Sequence, residues 1–132
     1  MIISGERRVS YEALLPRIAK AAGGFARLGA GPGANVGVML RNDIAFFEAV
    51  QGITGAGASV VPINWHMKAA ETGYILKDSS ARALVVHADL LPQVADGIPQ
   101  GLPVLVVPTP PEVAAAYHIP ETAPAAAVPV LQ

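Results

Sequence analysis

Glycines, three histidines and one tryptophan are the residues with chemical potential in this 132-residue chain, which has no cysteine. Glycine loops bind phosphate when a strand ends, the glycines let the anion approach the backbone, and a helix N-terminus then faces it. Gly29, Gly31 and Gly33 have the opposite order: they follow a helical pattern and precede an apolar run, so a helix C-terminus points at the loop. Gly52, Gly55 and Gly57 likewise close a helix. Turn and packing roles are therefore expected of both sets, which disfavours nicotinamide-nucleotide binding, and there is no Gly-Lys-Ser or Gly-Lys-Thr for a P-loop.

His66, His87 and His118 lack metal-ligand spacing. His87 ends an apolar run, a place where open α/β sheets present ligand-facing residues, but a structural histidine is the expectation. Asn64-Trp65-His66 follows another such run, and Trp65 reads as a core or interface aromatic. Ser79 and Ser80, beside Asp78, lack a nucleophile-elbow pattern and suit helix capping. Arg7-Arg8 reads as a solvated hairpin edge. No catalytic, cofactor-binding or metal-binding residue is assigned.

Four short runs set the frame: Val36 to Leu40, Ser59 to Ile63, Ala83 to His87 and Val104 to Val107. Apolar runs without alternation are what strands buried on both faces look like, and each gap has room for one helix. The prediction is an α/β fold, a three-layer, doubly wound, mainly parallel sheet with flanking helices. Ser10 caps a first helix from Tyr11, with Leu14, Ile18, Ala21, Ala22, Phe25 and Leu28 on one arc; Pro16 predicts a kink or a later start. Asp43 caps a second helix that turns Ile44, Phe47, Val50 and Ile53 inward. A third runs from about Ala69 to Ser79 and a fourth from Ala88 to about Asp96. Residues 1–9 suggest a hairpin turning at Ser4-Gly5-Glu6. The expected division is an α/β unit at 1–107 and a Pro/Ala-rich tail or linker at 108–132.

Composition narrows the class. With 52% hydrophobic residues, 14% charged and a net charge of -1, there is material for one core and no sequence-wide basic field for nucleic acid. All nine basic residues lie at or before Arg82, whereas nine of the twelve prolines lie at or after Pro92. The N-terminus has no secretory pattern, and the charge-free stretch 49–67 carries too many polar and glycine residues to span a membrane, so a soluble cytoplasmic protein is expected.

Five segments appear in order: Ser10-Tyr11-Glu12-Ala13-Leu14, Leu28-Gly29 with Pro32-Gly33, Leu40-Arg41-Asn42, Gly57-Ala58-Ser59-Val60-Val61-Pro62-Ile63-Asn64, and Tyr74-Ile75-Leu76-Lys77-Asp78-Ser79-Ser80-Ala81-Arg82. Together they resemble the N-terminal part of the adenylate-forming (AMP-binding) acyl-CoA synthetases, or fatty-acid-CoA ligases. Lys68 stands where family members often cap a helix with threonine, and Gly73 weakens that helix by up to ~1 kcal/mol relative to alanine. The family's Ser/Thr/Gly-rich phosphate loop, adenine and ribose motifs and C-terminal-domain lysine have no counterpart here. The resemblance implies an incomplete N-terminal subdomain of the acyl-CoA synthetase fold, inactive alone, whose partner is the rest of a parent enzyme. ATP, Mg and CoA are expected for that parent, and none for this chain. A cut sheet also implies an exposed edge and self-association through it. The alternative is a free-standing, non-catalytic α/β interaction or regulatory module.

Overall fold

The computed structural model describes residues 1–120; the expected tail from 121 to 132 lies outside the described residues. An antiparallel hairpin of β1 (Ile2–Ser4) and β2 (Arg7–Val9) precedes α1 (Tyr11–Arg27). Then come β3 (Asn35–Met39), α2 (Ile44–Gly55), β4 (Ser59–Pro62), α3 (Ala69–Asp78), β5 (Ala83–His87), α4 (Leu91–Val94) with a 3₁₀ turn (Ala95–Gly97), β6 (Val104–Val107) and α5 (Pro111–Ala116). The four later strands form one parallel sheet in the order β4-β3-β5-β6. The doubly wound α/β expectation holds, and β4 and β6 are its two edges.

Alternation along each central strand feeds two cores. Val36, Val38, Ala83, Val85 and Leu105 meet Ala21 and Phe25 of α1 and Ala49 and Ile53 of α2. Their neighbours Met39, Leu84, Val86 and Val106 meet Leu76 of α3, Leu90 and Val94 on the other face. The sheet is thus the middle of three layers, with β3 and β5 buried on both sides as their unbroken apolar runs require; β4, also expected to be buried, is exposed at Ser59 and Pro62 and half-buried between because it is an edge strand.

Two close approaches set the layer spacing. A side chain at Gly52 would place its Cβ 2.7 Å from the Cβ of Ala21, so the glycine lets α2 press on α1. Gly73 and Gly97 do the same for α3 and the 3₁₀ turn: a Cβ at Gly73 would lie 2.5 Å from the carbonyl oxygen of Gly97, and one at Gly97 would overlap the Ala69 backbone. The helix-weakening Gly73 is therefore a packing requirement.

Local chemistry explains most boundaries. Ser10 accepts from the Ala13 amide at 3.2 Å and starts α1 at Tyr11, and Asp43 accepts from Phe46 at 3.2 Å and starts α2. The structure corrects three expectations. α1 starts at Tyr11, not later, despite Pro16, and continues to Arg27 with Leu14, Ala21 and Phe25 buried along its inner arc. Phe47 is 45% exposed; Ala49 and Gly52 take the inward positions beside Ile44 and Ile53, and Phe46 packs against the core instead. The fourth helix is a single turn from Leu91, since residues 88–90 turn away from β5 and the chain tightens to 3₁₀ at Ala95 to bring Gly97 onto α3.

Candidate functional site

The strand order places a topological switch point between β3 and β5, because β3 connects outward to β4 while β5 connects the other way to β6. In open α/β sheets ligands are received outside the carboxyl ends of the strands at such a point. Here the segments leaving the strands bring Arg41 and Asp43 after β3, Trp65 after β4, His87 and Asp89 at the end of β5, and Thr109 after β6 to one edge.

These side chains bind one another. His87 is fully buried; its Nδ1 accepts from the Arg41 backbone N–H at 2.9 Å, so the neutral ring carries its proton on Nε2, 3.2 Å from Asp43 Oδ2. The Arg41 guanidinium donates from Nε (3.1 Å) and Nη2 (2.8 Å) to Asp89 Oδ2, in an ion pair buried at both ends. Asp89 also accepts from the Thr109 hydroxyl at 2.6 Å. The Arg41 Cζ sits 4.5 Å from the Trp65 ring centroid and 4.4 Å from that of Tyr117, in the corner made by two rings at 78° to each other. His66 stacks on the outer side of Trp65 at 3.6 Å. Such cation–π contacts are worth about 0.5–2 kcal/mol, the upper end when desolvated.

The hairpin completes the cover. Arg7 bonds Glu112 of α5 through Nε and reaches 3.7 Å from Asp43, and the Ser4 hydroxyl donates to the same Glu112 oxygen at 3.3 Å. Arg7 and Arg8 are exposed, as a hairpin edge suggests, but Arg7 also cross-links the hairpin to α5. Slight burial pushes the Glu112 carboxyl up, but its own backbone N–H, Arg7 and Ser4 outweigh that and hold it below the usual range. On α2, burial raises the Glu48 carboxyl despite Arg17 at 2.6 Å.

Two groups at the switch point that could attract an anion are already paired within the chain. The α2 N-terminus at the switch point is capped by the Asp43 carboxylate, and the Arg41 charge is paired with Asp89. Both groups that attract phosphate are thus occupied by the chain's own anions. No group of three or more His, Cys, Asp and Glu side chains suited to a metal occurs among the described residues. Gly29, Gly33 and Gly57 have φ of 81°, 81° and 89°, the left-handed turns expected of them, and they precede strands at the opposite end of the sheet. Ser79 bonds the Ile75 carbonyl at 2.7 Å at the end of α3, and His118 is exposed.

Fold and edge define a doubly wound parallel α/β unit whose ligand-receiving end is closed by internal ion pairs. Its sequence matches the AMP-binding enzyme family over residues 1–129, and the chain belongs to that family. It is 32% identical over 113 residues to the medium-chain acyl-CoA ligase Mig of Mycobacterium avium, covering 76% of this chain and 20% of that protein. The crotonobetaine/carnitine–CoA ligase of Citrobacter koseri is 35% identical over 86 residues, covering 65% and 17%. Among solved structures, a long-chain-fatty-acid-CoA ligase from Archaeoglobus fulgidus superposes with a TM-score of 0.68 at 30% identity, over 80% of this chain and 23% of that one. A benzoate CoA ligase from Burkholderia xenovorans gives a TM-score of 0.73 at 23% identity, over 83% and 22%, a likeness of fold. The chain spans about a fifth of the length of these relatives.

Proposed function

We propose that this chain is the N-terminal structural unit of an AMP-forming acid–CoA ligase and has no ligase activity by itself. In the longer enzyme a carboxylate attacks the α-phosphorus of ATP to give an acyl-adenylate and pyrophosphate, and the CoA thiolate then displaces AMP to give the thioester. Mg, ATP and CoA are substrates and cofactors of that whole, which this reading places in the cytoplasm. Residues 1–107 are its α/β unit and 108–132 the segment leading on, with α5 docked back on the sheet.

The closed carboxyl edge is the observation that carries this reading. A catalyst of adenylate formation needs cationic groups free to stabilise developing phosphate charge. Arg41 and Arg7 stand at the right end of the sheet, but Asp89, Asp43 and Glu112 neutralise them. The sequence also lacks the Ser/Thr/Gly-rich loop ending in lysine. No helix among the described residues is long and apolar enough to cross a membrane, in keeping with a unit built for packing.

The test is direct. The 132-residue chain, given MgATP, CoA and a panel of fatty and aromatic acids, is expected to release no pyrophosphate above the protein-free rate. Release at an enzyme-like rate would overturn the claim of inactivity.

A further inference from the structure

We propose that α5 is a latch over the carboxyl edge of the sheet, held by Glu112 on the hairpin and Tyr117 on Arg41, and that its release exposes the switch point while the sheet stays folded. This goes beyond the ligase reading and does not depend on it.

By itself α5 is a marginal helix. Six residues are far below the length at which a helix persists unaided, and its N-terminus has no side-chain cap. Among the described residues, its hold on the rest of the fold rests on a few groups. Val113 is buried, Glu112 takes Arg7 and Ser4, and the Tyr117 ring lies against the Arg41 guanidinium and the edge of Trp65. The Arg7–Glu112 pair is solvent-accessible on the arginine side, where such pairs are weak.

What lies beneath keeps its structure without α5. Arg41 retains both bonds to Asp89 and its place over Trp65, His87 retains the Arg41 N–H and Asp43, and Gln93 Nε2 still pins the loop after β4 through the Trp65 carbonyl at 3.1 Å and that of Met67 at 2.8 Å. The closed state is also imperfect. Arg41 Nη1 is buried with no hydrogen-bond partner among the described residues, while Nε and Nη2 of the same guanidinium bond Asp89. An unpaired buried donor is penalised, and lifting Tyr117 from the guanidinium lets water or an incoming oxygen satisfy it. The short helix therefore covers a buried donor that the described residues leave unpaired, and opening removes a penalty as well as two contacts.

Trp65, the sole tryptophan, reports on the opening. In the full chain, Tyr117→Ala is expected to at least double the acrylamide quenching of Trp65, with amides of α5 exchanging faster while those of β3 and β5 keep their protection. Tyr117→Phe keeps the ring and should leave quenching at the wild-type level. Glu112→Gln, which leaves the aromatic corner intact, should accelerate exchange in α5 alone. Unchanged quenching in Tyr117→Ala overturns the latch. So does loss of β3 and β5 protection together with α5 in either variant, including a variant that fails to fold, because α5 would then be an integral layer.

Discussion

The two faces of the sheet and its carboxyl edge are held by different forces. On the faces, apolar side chains from alternating strand positions meet helices brought close by Gly52, Gly73 and Gly97. At the edge, a chain of polar contacts runs from Glu112 through Arg7, Asp43 and His87 to Arg41, Asp89 and Thr109. The faces are tolerant of apolar exchange and intolerant of added volume at the glycines. The inner part of the edge is intolerant of losing one partner, since the remaining charge of the Arg41–Asp89 pair would stay buried, whereas the outer Arg7–Glu112 pair is open to solvent. Open α/β sheets receive ligands at the carboxyl edge, and here that edge carries a chain of internal polar contacts.

Breaking the edge should cost most. Arg41→Ala leaves the Asp89 carboxylate buried and unpaired, and is expected to lower unfolding stability by about 3–5 kcal/mol in urea titrations. A loss below 1 kcal/mol would mean the edge is solvated and the contrast with the faces is false. Gly73→Ala tests the opposite region: forcing a Cβ against the Gly97 carbonyl should cost about 1–3 kcal/mol even though alanine favours helix. A stabilised variant would show that α3 and the 3₁₀ turn are not tightly apposed. Ser10→Ala removes only the α1 cap and should cost about 1 kcal/mol, read as a lowered melting temperature.

The smallest effect is electrostatic. Glu112 has a folded pKa below its ordinary value, so its contribution is fully present above that ordinary value and is lost as pH falls through the folded one. Because Arg7 is exposed, under about 1 kcal/mol is at stake, and Glu112→Gln should flatten that part of the acid limb of the stability curve.

Legibility in the sequence follows the same division. Periodicity and unbroken apolar runs marked all four strands of the parallel sheet, the caps at Ser10 and Asp43, and α1 to α3, because those signals are local. Family membership was legible too, since five short segments kept their order. The edge was not. Arg41 and Asp89 are 48 positions apart, Asp43 and His87 are 44, and Arg7 and Glu112 are 105. Nothing in the neighbourhood of either partner announces the other. Asp43 was readable as a cap and His87 as a strand end, but their contact exists only once β3 and β5 are adjacent. Phe47 and the shortened fourth helix were misread for a related reason: the packing of α2 and of the 3₁₀ turn is decided by glycines that accept close neighbours, which hydrophobic counting favours least.

The central proposal is that the carboxyl end of this sheet is filled by the chain's own charges and that the unit by itself binds no nucleotide. Titrating the isolated chain with millimolar MgATP while following Trp65 emission and the melting temperature tests it most directly. The account predicts no saturable change in either. A saturable Trp65 response with a matching rise in melting temperature, the signature of binding to the folded state, would contradict it.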